Sequence, residues 1–117
     1  MNEAIREVLG EAGAPPLPEP LAGSIVDSHT HLDTVQDVVG IEPAISLAAA
    51  REVGVTRIAQ IGCDIAGSEF AEELARTHKN VIAAVAIHPN DAARLGRKKI
   101  GDALKRIDEL ANVGNHV

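Results

Sequence analysis

Phe70 is the single aromatic residue among 117; there is no tryptophan or tyrosine. A chain so poor in rings cannot hold single-stranded nucleic acid by stacking bases on aromatic side chains, and its core must be aliphatic. Cys63 is the single cysteine, which excludes an internal disulfide and fits a reducing, cytoplasmic setting. No apolar run is long enough to span a bilayer. The opening stretch, MNEAIREVLGEAGAPPLPEP, lacks the apolar centre of a secretory signal. Gly-rich phosphate loops, a serine nucleophile elbow and Cys-x-x-Cys pairs are missing. Positive charge is scarce as well: 11 Lys/Arg against 17 Asp/Glu leave a net −6. Bulk electrostatics therefore repel DNA and anionic membranes alike.

What is present suits one modest globular domain. The hydrophobic share is 45%, ordinary for a packed core. The charge is unevenly placed. Residues 1–93 carry 5 Lys/Arg and 14 Asp/Glu, whereas residues 94–117 carry 6 and 3. The basic stretch RLGRKKIGDALKR reads first as a solvated helix face and second as a phosphate-steering patch.

Residues 1–22 read as a flexible leader with at most one helical turn, closing in a Pro-rich linker. Residues 23–117 read as repeated strand–helix units. SIVDSH is a strand, TVQDVVG a loop, and EPAISLAAAREVG a helix with Pro43 in its first turn. VTRIAQIG is a second strand. SEFAEELARTH is a helix capped by Ser68. NVIAAVAIHP is a third strand, apolar enough to be buried on both faces. KKIGDALKRIDELAN is a third helix, and His116-Val117 look like the start of a fourth strand. Successive βα units predict an α/β fold with parallel strands and right-handed crossovers, either an open sheet or part of a closed barrel. Both place their sites at the carboxyl ends of strands.

Three strand ends carry polar residues: His29 and His31, then Cys63 and Asp64, then His88. The segment IVDSHTHLD is the strongest signal. On a strand, Ile25, Asp27, His29 and His31 share one face, with successive members about 6–7 Å apart. His-x-His there can supply two ligands to one divalent metal. Asp27 can orient a ring. Asp33 can act in the site or cap the next segment. His88 precedes a proline, which fixes its direction at the strand end. Cys63 reads as a small buried group, Asp64 as a substrate contact or helix cap, and His78 as a helix-terminal cation.

IVDSHTHLD, IGCD and AAVAIHPNDA, in this order and spacing, resemble the TatD family of metal-dependent deoxyribonucleases from about residue 24 onward. The resemblance implies a TIM (β/α)8 barrel with a metal site at its carboxyl rim. It implies exonuclease-like hydrolysis of DNA, with Mg²⁺ as the first choice of ion and Zn²⁺ or Mn²⁺ as alternatives. By motif, His29 and His31 match the family's metal ligands, Asp33 its acidic residue, and His88 the histidine near the substrate phosphate. Asp33 and His88 are thus the expected catalytic groups. The family's Gly-Glu-x-Gly-Leu-Asp strand and its later His and Asp residues are not in this sequence. The expectation is therefore an N-terminal portion of a longer barrel, inactive or nearly so alone, with DNA as substrate and no membrane partner. The alternatives are another His-x-His amidohydrolase or phosphoesterase, or a non-catalytic βα module that binds metal or a partner.

Overall fold

Alternation of β-branched runs with alanine-rich segments gives alternating strands and helices. The computed structural model describes residues 3–117. In chain order the elements are α1 (Glu3–Glu11), β1 (Ile25–Thr30), α2 (Leu32–Val39), α3 (Pro43–Glu52), β2 (Val55–Ile61), α4 (Ile65–Thr77), β3 (Val81–Ala84) and α5 (Pro89–Ala111). The strands form one sheet in the order β1-β2-β3. β2 and β3 pair in parallel, from Ile58 opposite Val81 to Ile61 opposite Ala84. The α/β class and the helical crossover between parallel neighbours agree with the sequence reading. Among the described residues no helix is long and apolar enough to cross a membrane.

The chain divides into two compact units, one holding the described residues up to Asp27 together with His31–Arg57, the other Ser28–Thr30 with Ile58–Val117. In the first, Leu9, Ile41 and Ala49 form a buried cluster, joined by Ile5, Ala12, Ala14, Leu17, Val35 and Ile45. Two segments differ here from the sequence reading. Part of the stretch expected as a flexible leader is the nine-residue helix α1. Ile5 and Leu9 sit at i, i+4 and have a cluster to pack against, which a short helix needs in order to persist. The stretch expected as a loop is α2, which ends at Gly40, whose N–H bonds the Gln36 carbonyl at 3.0 Å. Its valines are poor helix formers, but Val35 joins the cluster, so packing outweighs propensity.

In the second unit α4 packs on β3, and α5 packs on α4. Ala71, Leu74, Ala75, Val81, Ala83, Ala103 and Leu110 are buried. β3 is shorter than expected and is not covered on both faces: Val81 and Ala83 are buried, while Ile82 is 58% exposed. Pairing stops at Ala84 because the Ala86 N–H is taken by a side chain, Ser68 Oγ, at 3.1 Å. α4 begins at Ile65, capped by Asp64 rather than by Ser68. α5 begins at Pro89, nine residues before the expected start, and is interrupted at Gly96 (φ 73°, ψ 175°). Across α4 and α5, Arg106 bonds Glu69 at 2.9 Å and, within α5, Glu109 at 3.1 Å. Those hydrogen bonds, the one to Glu69 foremost, hold its guanidinium pKa above the ordinary value.

Candidate active site

β1 delivers the His-x-His segment. His29 lies on the strand and is exposed; the strand ends at Thr30. Thr30 Oγ1 donates to the Ala59 carbonyl at 2.9 Å and to Gln60 Oε1 at 3.1 Å. Gln60 is fully buried, so the residue between the two histidines is fastened to β2 by its side chain as well as by the sheet. His31 is not a strand residue. It is the N-cap of α2, with φ −131° and ψ 70°, and its carbonyl accepts the Val35 N–H at 3.2 Å. The alternation expected to run from Ile25 through His31 therefore stops at Thr30, because the chain turns into a helix there. Asp33 stands half-buried in the first turn of α2, where a carboxylate is favoured by the helix polarity.

β2 ends in the sequence Ile61-Gly62-Cys63-Asp64. A Cβ on Gly62 would come within 2.6 Å of Ser68 Cα and 2.8 Å of Ser68 N. Glycine here lets α4 approach the strand end. The Asp64 carboxylate accepts the Gly67 N–H at 2.7 Å, so of its two readings the structure displays the cap. Cys63 is half-buried, and its carbonyl accepts the His88 N–H at 2.7 Å. The ends of the second and third strands are thereby tied together, and His88 is held against the IGCD turn.

His88 is exposed and caps α5. Its extended backbone (φ −62°, ψ 145°) is what a residue before proline adopts. Its Nδ1 accepts the Asn90 N–H at 3.1 Å. A ring nitrogen that accepts a hydrogen bond carries no proton, so the neutral ring holds its proton on Nε2. His88 thus has a donor atom free of the cap.

Two imidazoles have the donor chemistry of a divalent-metal site, and two ligands leave positions open for water and substrate. His29 and His31 each carry that donor chemistry. Among the described residues, no three His, Cys, Asp or Glu side chains gather into a complete ligand set. Three features escaped the sequence reading: the Thr30–Gln60 fastening, the close approach at Gly62, and Ser68. Ser68 is fully buried; its hydroxyl accepts from the Ala86 N–H and donates to the Ala86 carbonyl, both at 3.1 Å. A glutamine inside the apolar strand VTRIAQIG was the one signal available for the first of them.

A family model described as TatD related DNase matches residues 26–117. The chain belongs to the TatD family. The matched span includes His29, His31, Asp33 and His88. A curated relative from Mycobacterium tuberculosis, named as an uncharacterized metal-dependent hydrolase TatD, is 34% identical over 73 residues. That match covers 61% of this chain and 27% of the relative, so this TatD-family chain aligns with about a quarter of it. Two of the three motifs that carry the resemblance, IGCD and AAVAIHPNDA, meet in the bond between the His88 N–H and the Cys63 carbonyl.

Proposed function

We propose that this chain supplies the first βα units of a TIM-barrel hydrolase that cleaves phosphodiester bonds of DNA with the aid of a divalent metal, Mg²⁺ being the first choice. The observation that carries the reading is the His29-Thr30-His31 segment at the carboxyl end of β1, fastened through Thr30 to β2, in a chain of the TatD family. The relative's name as a metal-dependent hydrolase supports it. The single cysteine fits a cytoplasmic enzyme.

In this proposal His29 and His31 hold the ion, which when bound offsets phosphate charge and activates water. His88 donates from Nε2 to a phosphate oxygen, which its Nδ1 hydrogen bond to the cap leaves it able to do. Asp33 accepts a proton or orients the attacking water. Because the two histidines are an incomplete ligand set, residues 1–117 alone turn over DNA slowly or not at all.

The test has two steps. Mn²⁺ or Zn²⁺ is titrated into the 117-residue chain, where binding should vanish in H29A/H31A. The encoding frame is then read past Val117, and its whole product is assayed on labelled DNA and on a cyclic amide. EDTA-sensitive DNA cleavage lost in H29A/H31A supports the reading. Amide hydrolysis without DNA cleavage overturns it in favour of C–N bond hydrolysis.

A further inference from the structure

The cations of α5 divide into two kinds. Arg94 pairs with Asp91 at 3.4 Å, and Arg106 with Glu69 and Glu109 at 2.9 and 3.1 Å. Elsewhere in the second unit Arg76 pairs with Glu72 at 3.4 Å. Lys105, further along α5, is exposed and makes no ion pair among the described residues; the same holds for Arg97, Lys98 and Lys99. These last three follow directly on Gly96, where the helix breaks and restarts. Three consecutive free cations in a chain of net charge −6 oppose the overall balance, and stability of the helix does not account for them. Positive charge in a first turn works against the helix polarity. Lys98 precedes Asp102 in the weaker order for an i, i+4 pair.

We propose that Arg97, Lys98 and Lys99 form a docking surface for the phosphate backbone of nucleic acid, separate from the histidine-bearing strand ends. The inference rests on the nucleic-acid reading above for the identity of the polyanion. Successive helical residues point about 100° apart, so three in a row splay across roughly 200°. They cannot close on one small anion, but they can meet several phosphates of an extended chain. An anionic membrane fits less well, since lipid-binding clusters carry about 4–8 basic residues. His88 and the three cations lie on the same element, with the break at Gly96 between them.

The test is fluorescence anisotropy of a labelled DNA duplex with the 117-residue chain in EDTA, from 50 to 200 mM NaCl. Three phosphate contacts give a log–log salt slope of about −2.7, or about 40-fold weaker binding across that range. R97A/K98A/K99A should lose that dependence, as in part should the milder K98E. A control with equal charge change, R6A/R51A/K79A, should keep it, and thermal melts should show all variants folded. Equal slopes for wild type and the first triple variant overturn the inference, as does absence of DNA binding at 50 mM NaCl. Binding to phosphatidylserine vesicles but not to DNA overturns it in favour of a membrane surface. H29A/H31A separates the two proposals. Lost metal binding with an unchanged salt slope leaves the docking surface standing, and intact metal binding with a flat slope sinks only the docking surface.

Discussion

Gly62 is the position where one methyl group does most harm. Its missing Cβ would press on the backbone of Ser68, at 2.6 and 2.8 Å, and main chain cannot swing aside as a side-chain tip can. Gly62→Ala should cost about 2–3 kcal/mol, read as a lower urea midpoint with an unchanged slope. Ser68→Ala should cost about 1–3 kcal/mol, because it leaves both polar groups of Ala86 without the hydroxyl that serves them. At this scale the sequence singled out His29, His31, Asp33 and His88 by their chemistry; the structure sets His29 on β1, His31 and Asp33 at the start of α2 and His88 at the start of α5. The sequence hid Thr30, Gln60 and Ser68, whose roles come from burial and from partners 18 to 30 residues away. No local pattern encodes such a partner.

Elements were legible where period and composition agreed. The alanine-rich α3 with Pro43 at its start and the β-branched β2 followed the reading closely. α2 did not, since its valines argue against helix until Val35 finds the cluster of the first unit. The extent of β3 was overread, because an apolar run does not reveal which faces are covered. A paired substitution measures that difference. Val81→Ala, at a buried site, should cost about 1–3 kcal/mol. Ile82→Ala, one residue on and 58% exposed, should stay within about 0.5–1 kcal/mol. Equal losses would mean that both faces are covered in solution. Gly96 makes a second case. Its φ of 73° with ψ of 175° is a conformation nearly confined to glycine, although no heavy atom lies within 4 Å of where a Cβ would sit. Gly96→Ala should therefore cost about 1–3 kcal/mol through backbone strain alone, unless α5 straightens, which would appear as a gain in helical circular dichroism.

At the scale of the whole chain, the α/β plan was readable because three apolar runs recur with amphipathic segments between them. Packing of residues 3–20 was not, since prolines and mixed charge suggest a linker, while the apolar residues that pack there, Ile5, Leu9, Ala12, Ala14 and Leu17, are scattered among them. Leu9→Ala should loosen α1 from its cluster at a cost of about 2–4 kcal/mol. The expected signature is faster amide exchange in residues 3–17 with protection in the second unit retained; uniform loss of protection would mean that the units unfold together.

The ring of His88 takes its orientation from a main-chain amide, not from a neighbouring side chain. An acidic partner, as many catalytic histidines have, could be lost in a single codon change. The amide of residue 90 is present whatever side chain evolution writes there, proline excepted. The proton on Nε2 is thus inherited with the fold of the α5 N-terminus, and sequence drift at position 90 leaves it in place.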